Sequence, residues 1–326
     1  MYIPGHGSQR SRENTDPGTH QDHRREMIVD CVININKPAG WTSQDVCTKV
    51  KHILHVKKAG HTGTLDPMAT GVLPVCLGKA TRVIEYYGND PKAYHAVMKL
   101  GIETDTLDIT GEIIRTGSYA KVTEKAVREA FRAYTGVIEQ TPPKYSALMI
   151  DGKRAYDLAR AGEEFEIRSR AITVYENKVS KIDLGSGMIE FDVTCSKGTY
   201  IRTICDDIGR TLGCGAAMTA LTRTASGYFR IEDSHTIEEL AEAAGDDAAL
   251  GKMLIPPEIT LERLGKIILD DNRVTAFKNG NTTWSREYKV ISPSGFDEVY
   301  RVYASGSFLG TAAIENGSLV PKKVFR

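Results

Sequence analysis

Asp66 is the single acidic residue in the stretch Ala59-Gly-His-Thr-Gly-Thr-Leu-Asp-Pro-Met-Ala-Thr-Gly71. Glycines, threonines and a proline surround it. That density of Gly and Pro breaks a helix and removes ladder bonds from a strand, so the stretch reads as a shaped loop. Glycine also lets a ligand approach the main chain closely. A lone carboxylate in such a loop is a candidate catalytic group. The plainer alternative is an Asx-type turn, in which Asp66 only accepts from nearby backbone amides. Basic residues flank the loop: His52, His55, Lys57 and Lys58 before it, Lys79 and Arg82 after it. As a helix face they are merely solvated; beside a catalytic loop they suit a phosphate-rich ligand.

Other chemistries lack their residues. The cysteines at Cys31, Cys47, Cys76, Cys195, Cys205 and Cys214 form no C-x-x-C pair, which removes the usual zinc spacing and favours reduced thiols. His52 and His55 have no second ligand pair beside them. Gly78-Lys79 is followed by Ala80-Thr81, but Leu73 stands where a phosphate loop has its first glycine. No cofactor is implied. Asn281-Thr-Thr and Asn316-Gly-Ser fit a glycosylation sequon whose chance frequency is high.

The elements that must position Asp66 follow from periodicity. Met27–Ile35 is β-branched and apolar, a buried strand. Ser43 caps a helix to about Leu54, with Val46, Val50, Ile53 and Leu54 as its stripe. Val72–Leu77 is a short apolar strand or extended segment after the loop. Tyr94–Leu100, Glu112–Arg115, Ile172–Ile182 and Met188–Thr194 read as strands. Thr123 caps a helix to about Tyr134. Lys144–Ile150 reads as extended and Lys153–Arg160 as helical. Tyr200–Leu212 is a helix with Ile201, Ile204, Ile208 and Leu212 on one face, ended by Gly213. Residues 216–229 are extended, and 236–250 form an acidic, Ala-rich helix. Helices and strands mix without a βαβ repeat, which argues α+β with a largely antiparallel sheet.

The 326 residues suit about two domains, and 41% hydrophobic with 26% charged residues is ordinary globular material. Net charge is zero, which leaves a local nucleic-acid footprint open. Residues 1–26 are polar and read as a disordered extension. No apolar core of a secretory signal and no run long enough to cross a membrane is present, so a cytoplasmic protein is expected. Residues 27–255 form the main domain. Pro256-Pro257 marks a linker, and 256–326 form a small β-rich domain with turns at Lys278–Asn281, Pro293–Gly295 and Glu315–Gly317.

Gly60-His-Thr-Gly-Thr-Leu-Asp66-Pro-Met-Ala-Thr-Gly71-Val-Leu-Pro, continuing to Leu77-Gly-Lys-Ala-Thr81, resembles the catalytic motif of the TruB family of tRNA pseudouridine synthases. Further blocks match in order: Asn36-Lys-Pro-Ala-Gly40 with Ser43; Lys92-Ala-Tyr94; Gly101-Ile-Glu-Thr-Asp-Thr106 with Asp108 and Gly111; Pro143-Lys-Tyr-Ser-Ala147. Gly152–Gly162, Cys195-Ser-Lys-Gly-Thr-Tyr-Ile-Arg202-Thr and Leu221-Thr-Arg223-Thr complete the set. The resemblance covers roughly residues 28 to 255. The C-terminal segment more weakly resembles the family's PUA-like RNA-contact modules.

The resemblance implies a pseudouridine synthase fold and isomerisation of uridine to pseudouridine in the T-loop of tRNA, position 55 in tRNA convention. It implies no cofactor, no guide RNA and a monomer. By resemblance Asp66 is the catalytic carboxylate, acting at sugar C1′, at uracil C6 or by forming a glycal. Arg202 pairs with it, and Tyr94 stacks on the target base and is a proposed base for the C5 proton. Leu221 is an apolar wall, Lys37 holds the architecture, and His61 fills the space left by the extruded base. Lys57 and Lys58 meet phosphate. A guide-dependent rRNA synthase and a tRNA-binding folding factor are the alternatives.

Overall fold

The computed structural model describes residues 30–325 except Ala147 and Asp297. The expected extension at residues 1–26, and Met27–Val29 of the first expected strand, lie outside the described residues.

The strands are β1 (Val32–Lys37), β2 (Ala59–His61), β3 (Thr70–Leu77), β4 (Lys92–Leu100), β5 (Ile102–Thr104), β6 (Ile113–Thr116), β7 (Gly136–Gln140), β8 (Met149–Ile150), β9 (Lys153–Arg154), β10 (Arg170–Asp183), β11 (Met188–Cys195), β12 (Ala216–Ser226), β13 (Phe229–Arg230) and β14 (Leu254–Ile255). Ten of them form one sheet along β14-β1-β3-β12-β4-β11-β10-β7, with β2 on β3 and β13 on β12. Every pair in it is antiparallel except β3 with β12, where Thr70 faces Thr222 and Gly71 faces Arg223. The α+β, largely antiparallel core expected from the sequence is therefore present. Among the described residues no helix is long and apolar enough to cross a membrane.

Helices α1 (Ser43–Leu54), α2 (Glu124–Ala133), α3 (Ile201–Thr211), α4 (Ile237–Ala243) and α5 (Asp247–Met253) cover the sheet. Strand β3 explains why its sequence is apolar throughout. Leu73, Val75 and Leu77 pack into one cluster with Val46 and Val50 of α1 and Leu240 of α4. Val72 and Cys76, on the opposite face, join a second cluster. A strand buried on both faces loses the usual alternation. A third cluster joins β4, β10, β11 and β12 to Phe131 of α2 and Ile204 and Ile208 of α3.

Several local expectations change. Thr42, not Ser43, caps α1: its hydroxyl accepts from the Asp45 amide and the Asp45 carboxylate returns to Thr42, a reciprocal box that frees Ser43 for other work. The 236–250 helix is two helices, because Asp246 takes an extended conformation and caps α5 through the Ala248 and Ala249 amides. Among the described residues of Lys144–Ile150 only Met149–Ile150 is strand. The ends of the Ala59–Gly71 stretch are strand, because Gly60 pairs with Cys76 and a side chain there would meet Ile84 at 2.9 Å. The irregular part is 62–69.

The segment after Pro256-Pro257 has an apolar cluster of its own, built from Ile267, Leu269, Phe277, Val302, Leu309 and Leu319. Pro257 starts a short helix, Pro257–Thr260, directly after β14. The C-terminal segment then folds into a five-stranded sheet in the order β16-β15-β17-β18-β19. These are β15 (Gly265–Leu269), β16 (Tyr288–Ser292), β17 (Val299–Ala304), β18 (Ser307–Glu315) and β19 (Ser318–Val324). Leu261, Leu264, Val299 and Ala313 share the cluster of Val72, Cys76, Tyr86 and Tyr87, so one apolar contact spans both parts.

Candidate active site

Loop 62–69 is held by its carbonyls. Arg223 Nη2 donates to the Gly63 carbonyl at 3.2 Å. Ser43 Oγ accepts from the Leu65 amide at 2.9 Å and donates to its carbonyl at 3.3 Å. Lys37 Nζ donates to the Pro67 carbonyl at 3.1 Å, which also accepts from the Gly40 amide at 2.8 Å. Two segments distant from it in sequence, 37–43 and β12, thus fix a loop with little regular hydrogen bonding of its own. Gly71 closes it into β3. Its φ is +98°, and a side chain there would meet the Arg223 carbonyl at 2.3 Å, so the parallel approach of β12 requires glycine.

Asp66 lies in a cleft of about 330 Å³ that the loop, Lys92, Tyr94, the 196–202 segment, Leu221 and Arg223 line. That is the low end of ligand-pocket sizes. Among the described residues no backbone amide takes its carboxylate, so the Asx-turn alternative is absent. Its side chain remains 32% exposed, and Oδ2 faces Arg202 Nε at 3.6 Å. Burial pushes the Asp66 carboxyl above its ordinary value; Arg202 and Lys37 pull it down and Asp108 pushes it up. Water entering through the cleft mouth tempers that rise.

Arg202, on α3, is buried and reaches four acceptors. Besides Asp66 these are Asp108 Oδ2 at 3.5 Å, the Thr106 carbonyl at 3.5 Å and the Tyr145 carbonyl at 2.5 Å. Its Nε has no hydrogen-bond partner at normal distance, so a donor points at Asp66 without yet bonding it. Asp108 is buried too, and accepts from Thr106 Oγ1, the Thr110 amide and Thr110 Oγ1. Asp108 supports the site from behind, through Arg202. The sequence marked it only as a member of the 101–111 block; the Thr106-x-Asp-x-Thr110 alternation was the available signal. Gln140 was missed as well. Its amide brackets Tyr200, donating to the carbonyl and accepting from the amide at 3.0 and 2.8 Å, and so shapes the far wall.

Tyr94 lines the cleft from β4, directly across the antiparallel ladder from Arg223 on β12; Leu221 lies on the same strand as Arg223 and lines the cleft as well. Lys37 is fully buried behind the loop, not on the cleft wall, and bonds the Pro38 and Pro67 carbonyls. Burial pushes its ammonium down to about 8, while Asp66 pulls it back up. His61 ends β2, outside the cleft lining, and its buried Nδ1 has no partner; burial and then Arg223 push its imidazole below the ordinary value. Lys57 and Lys58 are exposed on the connection from α1 to β2. Lys79 and Arg82 are engaged elsewhere, with Asp30 and the Val324 carbonyl. A second, broader depression of about 500 Å³ lies over Met149–Glu163 and carries none of these groups.

Residues 51–201 match the family model described as TruB family pseudouridylate synthase, N-terminal domain. Residues 202–262 match the tRNA pseudouridylate synthase B C-terminal domain, and 265–325 match Pseudouridine synthase II TruB, C-terminal. The chain is 42% identical over 279 residues to the tRNA pseudouridine synthase B of Clostridioides difficile (strain 630), covering 86% of this chain and 92% of that protein. It is 42% identical over 305 residues to that of Aromatoleum aromaticum, covering 93% and 95%. Among solved structures, the crystal structure of a Cbf5-Nop10-Gar1 complex is similar with TM-score 0.73 and 29% identity, over 93% of this chain and 87% of that one. An H/ACA RNP bound to a substrate RNA containing 2'-deoxyuridine is similar with TM-score 0.72 and 26% identity, over 93% and 87%.

Proposed function

The chain belongs to the TruB family of pseudouridylate synthases, and from that premise we propose that it converts uridine to pseudouridine in tRNA, at the T-loop uridine of position 55, as a monomer without guide or cofactor. The observation that carries the reading is Asp66: a carboxylate on the floor of a ligand-sized cleft, free of backbone amides and faced by a buried guanidinium.

The reaction is a redox-neutral isomerisation. The N1–C1′ bond breaks, the uracil turns in place, C5 bonds to C1′, the C5 proton leaves and N1 gains one. Asp66 acts as the ionised oxygen at C1′, at C6, or as the base that forms a glycal; each needs an immobilised carboxylate beside the sugar and base. Arg202 orients it and favours its charged form. Tyr94 stacks on the uracil and receives the C5 proton, and Leu221 supplies the apolar wall. The target base is extruded from its stack at a cost of a few kcal/mol. His61 fills the vacated space, and Lys57 and Lys58 contact phosphate. Lys37 works from behind, through the Pro67 carbonyl.

A guide-dependent reading draws on the likeness to the H/ACA complex at 26% identity; the tRNA pseudouridine synthase B relatives at 42% favour stand-alone action. Tritium release from unmodified tRNA carrying 5-tritiated uridine, with protein alone, decides. One tritium released per tRNA, and none with Asp66→Asn, is expected. Binding without release would favour the guide-dependent reading or a tRNA-binding folding factor.

A further inference from the structure

Arg223 is the largest side chain buried to within 2% of complete, and its exposure is 1%. A guanidinium cannot shed its charge. Such a group is ordinarily paired with a carboxylate, since an uncompensated buried charge is costly. Among the described residues no carboxylate lies within ion-pair distance of it. It donates instead to two carbonyls, from Nε to Val72 at 2.6 Å and from Nη2 to Gly63 at 3.2 Å. Gly63 lies in the Asp66 loop and Val72 just beyond it. Its remaining acidic neighbour is the Tyr94 phenol, its cross-strand partner on the same cleft wall. The other charged groups around it are cations or become so: Lys37, Lys92 and His61, all pushed down by burial and further lowered by Arg223. The two lysines, at about 8, can relinquish protons; Arg223 cannot.

We propose that Arg223 is a positioning residue for proton transfer, holding the Tyr94 oxygen toward the cleft and standing as the counter-ion of the phenolate that takes the C5 proton. This rests on the function proposed above, in which C5 must lose its proton whichever carbon Asp66 engages. The step balances. The C5–H bond breaks and its electron pair restores the C5=C6 double bond. The C6=N1 pair moves to N1, the proton goes to the Tyr94 oxygen, and N1 is protonated from solvent. Burial opposes ionisation of Tyr94, Arg223 favours it, and Cys195 on β11 and the Asp66 charge oppose it. The guanidinium's pull is fixed by the fold and does not depend on which atom Asp66 engages, so it acts on the phenol at the stage when C5 loses its proton.

The test uses the full chain. Tyr94 is titrated by the ultraviolet absorbance of tyrosinate, as the difference between protein with Tyr94 and the same protein carrying Tyr94→Phe. This is done for the native chain, Arg223→Lys and Arg223→Met. Single-turnover tritium release is followed against pH in parallel, with tRNA affinity measured separately. The expected result is a Tyr94 midpoint raised by about one unit or more in Arg223→Met, which is a tenfold smaller phenolate population. Release slows by at least about tenfold at neutral pH and recovers in alkali, with affinity almost unchanged. Arg223→Lys keeps a cation but not the planar fork, and is expected to fall between. Slower release with an unmoved Tyr94 midpoint would overturn the proposal and leave Arg223 as a brace for the loop. If Arg223→Met does not fold, the midpoint of Arg223→Lys decides on the same criterion. Failure of the native chain to release tritium would instead sink the function, and the titration would still settle whether Arg223 serves the phenol.

Discussion

Replacing Arg202 by methionine separates what the guanidinium does for Asp66 from what it does for the fold. Two unit charges 3.6 Å apart attract by roughly 4–5 kcal/mol at an effective dielectric constant of about 20. The Asp66 side chain is 32% exposed, so solvent roughly halves this, to about 2 kcal/mol. That moves the Asp66 carboxyl further upward, on top of the rise that burial causes. The Asp108 side chain is only 5% exposed, and losing its partner leaves a buried carboxylate at a cost of about 3–5 kcal/mol. Arg202→Met alone therefore risks unfolding against a total stability of about 5–15 kcal/mol. Arg202→Met with Asp108→Asn removes both charges and keeps an acceptor for Thr106 and Thr110. Single-turnover tritium release against pH, compared with Asp108→Asn alone, should show the acid limb moved to higher pH. A plateau that recovers at high pH would mean that Arg202 acts through ionisation; one that stays low would mean orientation as well. Superimposable acid limbs would refute the electrostatic argument.

Other outcomes follow from the same geometry. Because Asp66 holds its proton more tightly in the folded state than an ordinary carboxylate, its contribution to stability is present in acid and lost as pH rises from the unfolded value through the folded one. Asp66→Asn should thus raise Tm by a few degrees at neutral pH while abolishing tritium release, and the gain should vanish in acid; a lowered Tm would mean the charge is net stabilising. Ser43→Ala leaves the buried Leu65 amide without its acceptor, for a loss of about 1–3 kcal/mol in denaturant unfolding and slower release at nearly unchanged tRNA affinity. Gly71→Ala meets both a φ of +98° and the Arg223 carbonyl, and should cost about 3 kcal/mol or more by the same measurement. Lys57→Ala with Lys58→Ala should reduce the dependence of log affinity for tRNA on log salt by about 1–2, without changing the rate on bound tRNA; an unchanged slope would remove these lysines from the phosphate contact.

The sequence by itself determined the parts that local chemistry controls. The stripe Val46, Val50, Leu54 behind Thr42 and Asp45 specifies α1, and Gly213 stops α3, because periodicity and capping are written within a few residues. The density of Gly and Pro around Asp66 marks an irregular loop for the same reason. Even there the reach was limited: Thr42 rather than Ser43 caps α1, since which hydroxyl turns toward the amide depends on what else needs the other. Tertiary structure decided the rest. Ser43 serves Leu65, Arg202 spans Asp66 and Asp108, and Arg223 meets Tyr94, Gly63 and Val72 across the sheet. Each of these contacts joins segments far apart in the chain. Those of Arg223 are set by the register of β12 against β3 and β4, which leaves no local signature. The same holds for the C-terminal segment: its proline pair starts a short helix, and Leu261 and Leu264 just beyond it are buried in one cluster with Val72 and Tyr87, a contact no local pattern announces.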